Sequence, residues 1–241
     1  MLRHLTLNEP PCFYLNVETL TAQKTRVKRT NAKRMKEHAM SATATTALTL
    51  GPQAQDLLFR EARTANTFTA EPVTDDQVRA IYDLVKYGPT AFNQSPLRVV
   101  LVRTPQGRER LVKHMDEGNR AKTATAPLVA ILATDHEFHE EMPRLVPHAP
   151  DAGRLYFSER AVRERSAALN GALQAAYFIV GVRAAGLAAG PMTGYDAEGL
   201  RTEFLDDDHE PLMVVNIGRP GPDAWFPRSP RLPYDDVVTT V

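Results

Sequence analysis

Cysteine is almost absent from these 241 residues, and the one thiol, Cys12, stands near the N-terminus. Residues 40–241 therefore hold no disulfide and no thiolate nucleophile, a usage that fits a reducing compartment and makes a cytoplasmic location the expectation. No apolar run approaches membrane-spanning length, and nothing near the N-terminus supplies the apolar stretch of a secretory signal. Net charge is also missing: 29 Lys plus Arg stand against 29 Asp plus Glu. That balance removes the broad cationic field of a nucleic-acid binder. Gly186 to Gly190 lacks the Gly-x-Gly-x-x-Gly order, which argues against a Rossmann dehydrogenase. No Ser-His-Asp order or reactive cysteine supports hydrolysis.

Neutrality hides an asymmetry. Residues 1–39 carry Arg3, Lys24, Arg26, Lys28, Arg29, Lys33, Arg34 and Lys36 against Glu9, Glu18 and Glu37, whereas lysine beyond residue 40 is limited to Lys86, Lys113 and Lys122. Residues 1–50 show no sustained periodicity and end in the small, polar run Ser41–Thr46, so they are expected to be a basic, disordered extension, with Met40 a candidate start of the working chain. A targeting peptide or an arm for anionic surfaces is the competing reading. Residues 51–241 have no Gly/Ser-rich or Pro-rich linker and are expected to form one domain, for which 43% hydrophobic and 24% charged residues in the chain suffice.

Periodicity predicts the elements. Ala54, Leu57, Leu58 and Ala62 fall at helical spacing between Pro52 and Arg63. Thr74 caps a second helix whose first turn carries Asp75 and Asp76, whose buried stripe is Val78, Ile81, Leu84 and Val85, and which Gly88-Pro89 stops. Arg98–Val102 reads as a strand, and Thr104-Pro105 opens a third helix reaching Glu117. Pro127–Thr134 is a near-continuous apolar run of strand length, hence a buried central strand. Glu159–Ala185 forms the longest helix, apolar on most sides from Ala167, with Tyr177, Phe178 and later Met192 expected in the core. Asp196 starts another helix, Leu212–Ile217 is a buried strand, and the Pro- and Arg-rich end reads as an extended arm. Strands separated by helices imply a layered α/β or α+β sandwich.

Arg63, Lys122, Arg228 and Arg231, with the polar turn Thr90–Ser95, would suit a phosphate-bearing cofactor, because phosphate takes bidentate arginine and a flat heterocycle takes amides at its edge. The cluster His136, Glu137, His139 and Glu141, with His148 nearby, invites a metal reading, but its spacing is not His-Glu-x-x-His and a solvated surface explains it; no metal is expected.

Five blocks in order carry a resemblance. Arg63-Thr64-x-Asn66-x-Phe68 is similar to the opening Arg-Ser-x-Arg-x-Phe signature of nitroreductases, and Tyr87–Pro96 to their Pro-Ser-x-x-Asn-x-Gln-Pro loop. Asn119–Lys122 followed by Ala126-Pro127 resembles their third block, Gly190–Asp196 their Pro-x-Glu-Gly-Phe-Asp turn, and Phe226–Pro233 their terminal basic motif. The wording of the last three resembles most the malonic semialdehyde reductase branch. The resemblance implies a three-layer α-β-α sandwich of α+β class and an intertwined homodimer whose C-terminal arm embraces the partner. It implies FMN as cofactor and NADH or NADPH as reductant, working by ping-pong hydride transfer to a small acceptor. Malonic semialdehyde is the acceptor implied, with nitroaromatics or quinones the alternative and a flavin-binding protein without turnover a second.

By position, the resemblance assigns Arg63, Arg228 and Arg231 to the FMN phosphate, with Thr64 and Asn66 beside them. It assigns Asn119 and Lys122 to the pyrimidine edge, where Lys122 would stabilise the reduced ring. Thr90, Asn93 and Ser95 would come from the other subunit, the backbone N–H groups of Thr193 and Gly194 would meet N5 and O4, and Met192 of the same block would be a cofactor-binding residue. Asn66 stands where many relatives have Arg, and Thr67 and Ala91 are smaller or less polar than common counterparts, so the phosphate would lean harder on the terminal arginines; Thr193 replaces the frequent Glu, which keeps the backbone contact and removes any role of the acid.

Overall fold

In a computed structural model that describes residues 48–241, four strands form one antiparallel sheet in the order β1-β2-β4-β3. They are β1 (Leu97–Val102), β2 (Leu128–Asp135), β3 (Ala188–Met192) and β4 (His209–Gly218). The basic extension and the run Ser41–Thr46 lie outside the described residues. Five helices border the sheet: α1 (Asp75–Val85), α2 (Pro105–His114), α3 (Glu117–Thr125), α4 (Arg160–Ala184) and α5 (Ala197–Phe204).

The layering follows from the alternation of side chains along β2, all of whose residues are buried. Leu128, Ala130 and Leu132 pack with Ile81 of α1 and with Ala175, Phe178 and Val182 of α4. Val129 and Ile131 point the other way, to Leu111 of α2, Met115 and Leu200 of α5. A strand with helices on both faces has no polar side to offer, hence the unbroken apolar run. The result is an α+β three-layer sandwich. No helix among the described residues is long and apolar enough to cross a membrane.

Local signals end the helices where expected. Thr74 and Gln77 form a reciprocal capping box on α1, and Thr104 accepts from the Gly107 N–H with Pro105 in the first turn of α2. Three expectations need correction. The helix from Pro52 is a single turn, Pro52–Gln55, that widens into a π-helical turn, Asp56–Arg60. The third helix breaks at Met115, whose extended backbone bridges to Tyr195, so α3 is a separate helix. Leu84 and Tyr177, expected inside, are 59% and 44% exposed, while Phe178 is buried as expected.

β3 was not foreseen. It carries Pro191, tolerated because β3 is an edge strand. The Ala189 carbonyl faces away from β4 and accepts from the Ala65 N–H at 3.2 Å, so Pro191, two residues on, also faces outward and no ladder bond is lost.

Candidate functional site

The free side of β3 is where the chain brings basic residues together. The segment after the π-helical turn lies against β3 through the Ala65–Ala189 bond and against the terminal arm through the Asn66 N–H and the Ala224 carbonyl, 3.0 Å. Gly190 makes this contact possible: a Cβ there would lie 2.7 Å from the Ala65 carbonyl oxygen. Gly190→Val is therefore expected to push the segment off β3 at a cost of about 1–3 kcal/mol. An unchanged urea midpoint would contradict the close approach.

Beside that contact, Ala62, Arg63, Thr64, Asn66, Arg228 and Arg231 line a cleft of about 290 Å³ together with Arg183 at the end of α4. Three of the predicted cations therefore converge, and a fourth that the motifs did not mark joins them. Neutral carbonyls hold the guanidinium groups: Arg228 donates to the carbonyls of Arg60 and Ala62, Arg183 to Leu58 at 3.2 Å, and Arg231 to Ser229 at 2.9 Å. Arg63 stacks 5.6 Å from the centre of the Trp225 ring. Among the described residues none of the four pairs with a carboxylate, whereas Arg160 and Arg201 elsewhere do. Carbonyl anchors fix the forks and leave their charge uncompensated. Burial, then the neighbouring Arg228, hold the Arg183 pKa below its ordinary value. The Nε atoms of Arg63 and Arg183 are buried without partners. Such a cleft can accept an anion of more than one negative charge.

At the far end of β3 a second group forms. Asn119 on α3 donates to the Gly194 carbonyl at 2.9 Å, which also accepts from the Asp116 N–H at 3.1 Å. A Cβ on Gly194 would come within 2.6 Å of the Asp116 carboxylate and 2.7 Å of the Asn119 amide, so any larger residue in the turn Met192–Tyr195 would displace those two side chains. Met192 is buried, with Thr123 and Asn216 at 4.0 and 3.9 Å from its sulfur, and Asn216 Oδ1 has no donor. Lys122 is half-buried and, among the described residues, has no carboxylate partner; Thr193 is exposed.

Thr90, Asn93 and Ser95 are not brought to either group. They line a separate cavity of about 760 Å³ with Arg98, Arg144 and Gln174. Their loop is strained: Phe92, Asn93 and Ser95 have φ of 52°, 52° and 47°. Helix α4 holds it through a polar ladder that sequence reasoning missed. Asn170 accepts from the Ala91 N–H at 2.7 Å, Ser166 donates to Gln94 at 2.9 Å, and Gln174 accepts from the Leu97 N–H at 2.9 Å. Polar residues at i, i+4 and i+8 on an apolar helix were the available signal.

The segment read as a metal alternative has a structural use. Arg163, buried, donates to the carbonyls of His136 and Ser158, both at 2.9 Å, and to the Glu137 carboxylate at 2.7 Å, tying the turn after β2 to α4. Among the described residues no three potential ligands converge on a metal position.

Residues 59–219 match the model of the nitroreductase family. The chain belongs to that family. A Streptomyces griseus protein provisionally named NADH dehydrogenase/NAD(P)H nitroreductase is 79% identical over 194 residues, 80% of this chain and 99% of that protein. A Streptomyces coelicolor protein with the same provisional name is 80% identical over 194 residues, again 80% and 99% of the two chains. Solved family structures share the fold. One from Exiguobacterium sibiricum, in complex with FMN, superposes with a TM-score of 0.67 at 16% identity, over 78% of this chain and 96% of that one. A Staphylococcus epidermidis structure described as an NAD(P)H:FMN oxidoreductase gives a TM-score of 0.69 at 19% identity, over 80% and 98%.

Proposed function

We propose that this nitroreductase-family chain is an FMN-dependent NAD(P)H oxidoreductase acting as a cytoplasmic homodimer, with residues 51–241 as the flavin-binding domain. The observation that carries the reading is the cleft of Arg63, Arg228 and Arg231, whose charge nothing in the described chain neutralises. A phosphate monoester dianion fits it, since planar guanidinium forks match its oxygens and can replace its water shell. Thr64 and Asn66 add polar contacts at the same wall. When bound, FMN supplies the chemistry of accepting and returning a hydride.

The protein's own task is then placement and charge. The Thr193 and Gly194 backbone would meet N5 and O4 of the ring, with buried Met192 in the same turn and Asn119 holding that turn through the Gly194 carbonyl. Lys122 would stand at the pyrimidine edge, where its unpaired ammonium offsets negative charge at N1 and the C2 oxygen on reduction. Thr90, Asn93 and Ser95 line a different cavity from the arginines, which supports their serving the flavin of a second subunit. Exposed Leu169 and Leu173 on α4, and Phe226 and Leu232 in the arm, support an apolar interface and an arm that wraps a partner. With FMN supplying hydride transfer, NAD(P)H and then the acceptor would occupy the same place in turn, the acceptor's proton coming from solvent.

The relatives' names support a nitro compound as acceptor, and a quinone is the other alternative to the aldehyde. The malonic semialdehyde reading rests on motif wording alone. Steady-state oxidation of NADH and NADPH with each acceptor separates them, and lack of oxidation with all would favour a flavin carrier without turnover. Lys122→Met is expected to lower kcat roughly 100-fold while FMN stays bound. Unchanged turnover in that variant would remove Lys122 from the mechanism.

A further inference from the structure

Resting on the FMN reading above, we infer that Arg183 is a fourth ligand of the cofactor phosphate, supplying from the end of α4 the guanidinium that position 66 lacks. The cleft wall contains Arg183 and Asn66 together with Arg63, Arg228 and Arg231. The family signature as it stands here has asparagine where the pattern has arginine, so the opening block delivers one guanidinium instead of two. Arg183 restores the number from another direction.

Its surroundings have the features of a held but uncompensated cation. One Nη donates to the Leu58 carbonyl at 3.2 Å, and that carbonyl is presented by the π-helical turn Asp56–Arg60. The widened turn gives its carbonyls to side chains: Leu58 to Arg183, Arg60 to Arg228. Local π-helical geometry of this kind recurs where a helix is bent to serve a site. The Arg183 Nε is buried with no acceptor, and no carboxylate among the described residues pairs with the side chain. Arg160 and Arg163, which tie α4 to neighbouring turns, each reach a carboxylate as well as carbonyls. Arg183 instead faces three like charges, and burial and Arg228 both disfavour its proton. A dianion placed among the four groups removes that repulsion and gives the free donors acceptors.

The test compares two ligands that differ only in the phosphate. FMN and riboflavin are titrated into flavin-free full-length protein, followed by quenching of flavin fluorescence. Arg183→Met is expected to weaken FMN binding roughly tenfold to 100-fold, the loss of one charge-assisted contact, and to leave riboflavin affinity unchanged. Adding Asn66→Arg to that variant is expected to restore FMN affinity, because it puts a guanidinium back in the same cleft. Equal weakening of both flavins would overturn the assignment by showing that Arg183 only supports the Leu58 turn. So would FMN affinity unchanged in Arg183→Met. Failure of the wild-type protein to prefer FMN over riboflavin would instead overturn the cofactor reading itself, and the assignment with it.

Discussion

Arg228→Met combined with Arg231→Met is expected to yield a folded protein that purifies without colour. On the proposed reading each guanidinium would make a charge-assisted contact with the phosphate dianion worth about 1.5–3 kcal/mol, so losing two would cost about 3–6 kcal/mol, or roughly 10² to 10⁴ in FMN affinity. Stability of the flavin-free form should not fall, because Arg228 is anchored only by the carbonyls of Arg60 and Ala62, and its removal relieves repulsion with Arg183. Two measurements decide it: flavin content after gel filtration, and thermal unfolding of flavin-free wild type and variant. A double variant that keeps one FMN per chain would remove the arginine cleft from cofactor binding. Added FMN should also raise the unfolding temperature of wild type far more than that of the variant, by mass action on the folded state.

Asn170→Leu is expected to be the most damaging single change outside that cleft. Asn170 is 1% exposed, accepts from the Ala91 N–H at 2.7 Å and donates to the Ser166 carbonyl at 2.8 Å and to Gln94 at 3.3 Å. Leucine has similar volume but no polar atom, so it takes the acceptor from the Ala91 N–H and leaves Gln94 with the Ser166 hydroxyl alone. Gln94 Nε2 already lacks a partner, which leaves this network little slack. A loss of about 2–5 kcal/mol follows, and with it roughly 10 °C in unfolding temperature for a domain of this size. The strained loop should relax as its clamp goes, so the cavity containing Thr90, Asn93 and Ser95 should lose its shape too. Asn170→Asp, which keeps the acceptor for Ala91 but not the donor, should fall between the two. If Asn170→Leu melts with wild type, the ladder is not what holds the loop.

These variants also mark what the sequence made legible. Thr74 with Gln77, Thr104 with Pro105 and the unbroken apolar run of β2 are local signals, and local chemistry decides capping and burial on both faces. The ordering of five weak blocks links Arg63, Arg228 and Arg231, and the fold places them in one cleft. β3 was missed because Ala188, Ala189, Gly190 and Pro191 have no strand preference of their own. They are a strand because β4 pairs with them and because glycine admits the Ala65 carbonyl. Leu84 and Tyr177 were misplaced because helical spacing identifies an apolar stripe without saying which of its members meet the sheet. Arg183 closes an apolar helix 120 positions from Arg63, and no motif joins such residues; only their shared cleft does.

The imino acid in β3 has a consequence for the molecule in a crowded cell. An outermost strand normally offers a row of donors and acceptors to any extended peptide that drifts past, and that is how folded chains seed fibres. Here the outward donor at position 191 does not exist, and Ala189 has already spent its acceptor on the chain at Ala65. A stray segment finds no continuous ladder to join, so the side of the sheet that must stay open for chemistry is closed to polymerisation.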